Sequence, residues 1–214
     1  VPSLSWGAAF QKGLTAANQG DYATALKEWT PLAKQGDASG QNRLGTMYDN
    51  GNGVVQNYQT AAKWFTLAAK QGHVFAQSNL GNMYDIGLGV VQNYKTAMKW
   101  YTLAAKQGFA AAQFNLGFMY GNGQGVLQNY KTAVEWYTLA AEQGHAKAQY
   151  NIGYMYVMGQ GVIQDNIYAH MWWNIAASSG HSKAAENRTI VEKKMTTADI
   201  SKAQELARQC VNKN

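Results

Sequence analysis

Residues 73–108 read HVFAQSNLGNMYDIGLGVVQNYKTAMKWYTLAAKQG, and the same frame recurs on both sides of this stretch. Units 37–72 and 109–144 each match it at 24 of 36 positions, and unit 145–180 matches 109–144 at 17 of 36. Gly36, Gly72, Gly108, Gly144 and Gly180 mark the period. So do Gly45, Gly81, Gly117 and Gly153, and Trp64, Trp100, Trp136 and Trp172. A fixed period of this length is the signature of stacked repeats, in which each unit buries its apolar face only against its neighbours.

The punctuation inside a unit divides two helices. The first runs through Gly81-Asn82-Met83-Tyr84 and stops at Gly87-Leu88-Gly89-Val90, a turn that needs positive φ. The second starts near Gln92-Asn93-Tyr94, continues through Trp100 and Leu103, and ends at Gln107-Gly108. Each unit therefore predicts an αα-hairpin. The expected architecture is all-α, a right-handed α-solenoid of about six stacked antiparallel helix pairs. It has an N-terminal capping pair over 1–36, four repeats (37–72, 73–108, 109–144, 145–180) and capping helices over 181–214, in one continuous domain. In the first cap, Asp21 to Trp29 reproduces a repeat's second helix. In the last, Thr196 to Asp199 reads as a capping box, followed by one apolar face of Ile200, Ala203, Leu206, Ala207 and Cys210.

Composition excludes several classes. The chain has 214 residues, 46% of them apolar and 14% charged, which is too apolar for a disordered chain. A single cysteine, Cys210, leaves packing rather than disulfides to hold the fold. No uninterrupted apolar run is long enough for a transmembrane helix, so no membrane insertion is expected. The net charge of +6 is spread along the chain rather than gathered in a stripe, which argues against nucleic acid as a partner. The chain starts at Val1-Pro2, without an initiator methionine, which is the start expected after removal of a signal peptide.

The pattern A-x-x-x-L-G-x-M-Y-x-x-G-x-G-V-x-Q-N-Y-x-x-A-x-x-W-Y-x-x-A-A-x-Q-G, nearly complete at 73–108 and 109–144, resembles the Sel-one-like repeat family, a branch of the tetratricopeptide superfamily. Unit 145–180 departs from it at Asn166, Ile167, His170, Met171, Ser178 and Ser179, as a transition toward the cap. The resemblance implies a superhelix whose first helices line the concave side and bind other proteins. It also implies export to the periplasm or beyond, and a role in envelope assembly, signalling or host contact. One cysteine-rich branch of that family is linked to β-lactam binding, and a chain with one cysteine is not of that branch.

Internal repeats separate shared positions from free ones. With Leu80 at zero on a helical wheel, Ala76, Gln77, Met83 and Tyr84 share its face. The opposite face carries the positions that vary: Ser39, Asn42, Thr46 and Asp49; then Phe75, Ser78, Asn82 and Asp85; then Ala111, Phe114, Phe118 and Gly121; then Lys147, Tyr150, Tyr154 and Val157. Phe114, Phe118, Tyr150 and Tyr154 are therefore expected to form one exposed aromatic patch that grips an apolar segment of a protein or peptide partner. Asn42, Asp49, Phe75, Asn82 and Asp85 complete the expected binding face, with the acids and amides fixing the partner's polar end.

Other signals read as structure. The Gly-x-Gly-Val motif lacks the Lys-Ser/Thr of a phosphate loop. His73, His145 and His181 share the first position of their units, one or two repeats apart, too far to share a metal without long reaches, and His170 reads as a packing histidine. Trp64, Tyr94, Trp100, Tyr130 and Trp136 are periodic, as inter-repeat packing requires. No nucleophile motif occurs. The expectation is a non-catalytic scaffold with no cofactor and no metal, its oligomeric state left open with a monomer favoured. Its alternatives are a peptidoglycan-fragment or carbohydrate binder with weak hydrolase activity, and a regulatory subunit of an envelope complex.

Overall fold

The computed structural model describes residues 3–212; Val1-Pro2, on which the expectation of a removed leader rests, lies outside them. Twelve α-helices and no strand occur among the described residues. They divide into two compact units, 1–107 and 108–214. The first unit holds α1 (Ser3–Asn18), α2 (Tyr22–Lys34), α3 (Ala38–Asn50), α4 (Tyr58–Lys70), α5 (Val74–Ile86) and α6 (Tyr94–Lys106). The second holds α7 (Ala110–Asn122), α8 (Tyr130–Glu142), α9 (Ala146–Met158), α10 (Asn166–Ser178), α11 (Ser182–Glu192) and α12 (Thr197–Asn212). The chain is thus an all-helical solenoid of the hairpin-repeat type.

Local chemistry sets each boundary. Helices α4, α6 and α8 open on Asn57, Asn93 and Asn129, whose side chains accept the N–H of Thr60, Thr96 and Thr132 at 2.8–3.0 Å. Helix α3 opens on Asp37, which accepts from the Gly40 N–H at 2.6 Å. Helices α5, α9 and α11 open on histidine: Nδ1 of His73, His145 and His181 accepts the N–H of Ala76, Ala148 and Ala184 at 3.2–3.3 Å. The three periodic histidines are therefore caps. First helices end on a left-handed glycine, as at Gly87 with φ 75°, which donates its N–H to the Met83 carbonyl.

The hairpins α1/α2, α3/α4, α5/α6, α7/α8 and α9/α10 pack as antiparallel neighbours. Within a hairpin, a ring on the second helix lies against a glycine of the first. Phe65, Tyr101, Tyr137 and Trp173 are buried over Gly45, Gly81, Gly117 and Gly153. Trp64, Trp100 and Trp136, three of the four tryptophans that mark the period, are only half-buried, and the ring that follows each is the enclosed one; the fourth, Trp172, is itself buried. Where that ring is a tryptophan, its indole N–H donates to a first-helix carbonyl: Trp29 to Phe10 at 3.2 Å and Trp173 to Tyr150 at 3.0 Å. The last two helices do not repeat the hairpin, because α11 and α12 both pack mainly on α10. The capping box at Thr196 and Asp199 forms in both directions, and Ala203 and Ala207 of α12 are buried.

Candidate functional site

In the first unit, the expected binding residues divide by position. Asn42 is buried, as is Ser78 at the same place in the next repeat, so neither is open to a partner. Asn82 is exposed, and Phe75 is exposed with its ring 5.9 Å from that of His73. Asp49 and Asp85 are half-buried at the ends of α3 and α5, and burial holds both carboxyls above the usual carboxylate range.

In the second unit, the four rings do not form one patch. Phe114 and Tyr150 turn inward. Phe114 stacks on the His145 ring at 4.7 Å and meets Tyr137 at 5.7 Å. Tyr150 stacks on His181 at 4.7 Å, meets Trp173 at 6.4 Å, and its hydroxyl accepts from Asn187 Nδ2 at 3.3 Å. The expectation of four exposed rings is corrected for a physical reason. A first helix is covered on one side by its own second helix, and its sixth position faces the cap that opens the following first helix. The wheel marks that position as opposite to the core, yet a neighbour stands there.

Phe118 and Tyr154, at the tenth position, remain outward at 42% and 44% exposure. Both line a cleft of about 330 Å³ with Tyr130, Asn151 and Gln160. At its floor lies Tyr137, whose hydroxyl is pushed up to about 12 by burial. Tyr154 also borders a second cleft of about 230 Å³, with Val157, Trp173, Ile190 and Lys194. Ile190 and Lys194 come from the C-terminal cap, where sequence reasoning had no repeat to compare and missed them. It also missed exposed aliphatic side chains in the turns: Val55, Val91, Leu127 and Ile163 are 87–90% exposed. The legible signal was a branched aliphatic residue at the same turn position in every unit.

The arrangement offers contact area rather than reactive groups. Each capping histidine has its Nδ1 engaged with backbone. Among the described residues, no group of three or more His, Cys, Asp or Glu side chains is placed to hold a metal ion. No helix among them is long and apolar enough to cross a membrane.

The Sel1 repeat profile matches residues 38–73, 74–109, 110–145 and 146–181. The chain belongs to the Sel1 repeat family. Sel1 repeat proteins are generally non-catalytic protein-interaction scaffolds. Among solved structures, the chain is similar to c5321, described as a protective antigen present in uropathogenic Escherichia coli strains and displaying an SLR fold. The two are 36% identical with a TM-score of 0.89, over 97% of this chain and 45% of that one. The chain thus spans a little under half the length of that antigen. A Sel1 repeat protein from Oxalobacter formigenes is 31% identical with a TM-score of 0.82, covering 96% of this chain and 83% of that one. Cysteine-rich protein B of Helicobacter pylori shares the fold at 20% identity and a TM-score of 0.50, over 63% of this chain and 97% of that one. No curated protein matches the chain.

Proposed function

We propose that this Sel1 repeat chain is a non-catalytic scaffold whose second unit binds an extended peptide segment of a protein partner on the exposed side of α7 and α9. The observation that carries the reading is Tyr154, an exposed ring shared by two adjoining clefts. Phe118 and Tyr130 wall one of them, and Ile190 and Lys194 the other. An apolar or aromatic partner side chain fits the rings, and Lys194 favours a carboxylate beyond them. Aromatic anchors at such sites commonly contribute about 2 kcal/mol or more each.

Replacing both Phe118 and Tyr154 with Ala removes the anchors from a surface outside the core. The double variant is expected to retain its helical melting transition and to lose at least tenfold in affinity for a partner identified by cross-linking to Lys194. Unchanged affinity, or cross-links that map elsewhere, refutes the reading.

A second reading, a saccharide binder, draws on the same cleft, because Asn122, Gln128, Asn151 and Gln160 stand beside its rings. Three of these amides are engaged within the fold: Asn122 Nδ2 donates to the Phe118 carbonyl and Gln128 Nε2 to the Gly121 carbonyl, at 2.8 and 2.7 Å, and the Asn151 side chain hydrogen-bonds the Tyr137 hydroxyl. Fewer groups are then left for sugar hydroxyls, and a peptidoglycan-fragment titration set against the peptide titration separates the two. We also propose that the chain acts outside the cytoplasm. The support is its similarity to a chain described as a protective antigen, and the check is fractionation of the tagged full-length gene product.

A further inference from the structure

One hydrogen-bonded unit recurs through the repeats. A first-helix glutamine donates Nε2–H to a carbonyl at the end of the preceding second helix: Gln41 to Ala33, Gln77 to Ala69 and Gln149 to Ala141, at 3.0–3.2 Å. Its Oε1 then accepts from the glutamine that closes its own hairpin. Gln71 donates to Gln41, Gln107 to Gln77 and Gln143 to Gln113, at 2.7–2.8 Å.

The fourth repeat lacks the closing donor. Ser179 stands where the others carry Gln71, Gln107 and Gln143, and its short side chain does not reach across. The hydroxyls of Ser178 and Ser179 turn back to the Ile175 carbonyl at 2.7 and 3.4 Å. Gln149 is 2% exposed, and its Oε1 is buried without a hydrogen-bond partner. A buried acceptor left unsatisfied is costly, so the site favours any donor that can reach it. Gln149 and Ser179 border a cavity of about 500 Å³, with Gln143, Ile175 and Val211 among its other walls.

We propose that this cavity is a subsite for a primary carboxamide, carried by a glutamine or asparagine side chain of a bound peptide, whose N–H donates to Gln149 Oε1. The other hairpins specify the missing group: three times, the donor to this acceptor is a carboxamide on an alkyl stem. Ile175 and Val211 provide apolar wall for such a stem in the cavity that Gln149 borders. The peptide carrier rests on the protein-binding reading above, whereas the subsite does not, so a free probe tests it alone.

The test is a titration of the ¹⁵N-labelled full chain with N-acetylglutamine N-methylamide, following the Gln149 side-chain amide and the Ser179 backbone amide. Saturable shifts at both are expected. The analogue with a dimethylated side-chain amide, and N-acetyllysine N-methylamide, are each expected to bind at least tenfold more weakly. The S179Q variant supplies the donor internally, and it is expected to abolish the probe's shifts and raise Tm. The proposal is overturned by absence of saturable shifts, which means that water alone occupies the site. It is equally overturned by comparable binding of the dimethylated analogue, tighter binding of the lysine analogue, or undiminished binding by folded S179Q. If S179Q does not fold, the three-probe comparison on the unaltered chain decides.

Discussion

Gly117 and Gly121 lie about one turn apart on α7 and meet opposite surroundings. A Cβ on Gly117 would come within 2.6 Å of the Tyr137 ring, whereas one on Gly121 would find only the Ala133 Cβ at 3.7 Å. Gly117→Ala is therefore expected to destabilise the second unit by about 1–3 kcal/mol through overpacking. Gly121→Ala should stabilise it by up to about 1 kcal/mol through helix propensity. Thermal melting of the pair gives shifts of opposite sign if hairpin packing is as described, and equal shifts would contradict it. Repetition made Gly117 legible as a shared position, but its reason was not legible, because the ring that needs the space is Tyr137, twenty positions along the chain. The same holds for the aromatic residues: Phe114 and Phe118 look equivalent in sequence, and only the neighbouring His145 distinguishes the one that is stacked from the one that is exposed.

At the scale of the helix, most boundaries could be read in advance. The Gln-Asn-Tyr and Gly-x-Gly-Val motifs mark ends that the structure realises as asparagine caps and left-handed glycines. The histidine caps were not legible in their role, since histidine is an uncommon N-cap and its Nδ1 accepts only while unprotonated. Burial pushes the ionisation of the His73 and His145 imidazoles below the ordinary range for histidine. The unfolded chain therefore binds a proton at higher pH than the folded one, and the stability these groups contribute is present above about pH 6.5 and is lost as pH falls through the lowered folded values. Asp49 and Asp85, whose carboxyls burial holds protonated to higher pH than usual, act in the opposite direction at lower pH: their burial costs stability while they are ionised and less as they protonate. Replacing His73 and His145 together with Asp, the residue that caps α3, should flatten the fall in Tm between pH 7 and pH 5. An unchanged pH profile would show that the histidines do not set it.

On the scale of the whole chain, the even spread of charge carries little information, and the ends carry much. Helix α12 buries Ala203 and Ala207, and Ala207 joins the cluster of Trp172, Ile175, Tyr137 and Ile152 in the second unit. Deleting residues 196–214 uncovers Trp172 and Ile175, which on apolar area alone costs about 2 kcal/mol or more. Hydrogen exchange should then show protection lost chiefly in α10, with α2 to α5 unchanged, and the truncated chain should bind a hydrophobic dye. Uniform loss across both units would refute this assignment of the cap. The last apolar face was legible from its spacing, but its destination was not. Helix α12 packs mainly on α10 rather than on its sequence neighbour α11, a choice that spacing within α12 does not reveal.

The period, the two helices per repeat, the turn glycines and the asparagine caps were set by the sequence alone, since each depends on contacts within a few residues or on repetition of one local pattern. Tertiary structure decided which varying positions reach solvent. It buried Asn42, half-buried Phe114 and Tyr150 against histidine rings, left Phe118 and Tyr154 open, and brought Ile190 and Lys194 beside Tyr154. The reason is geometric: a helical wheel records the angle of a side chain about one axis, whereas exposure depends on which angles the neighbouring helices cover.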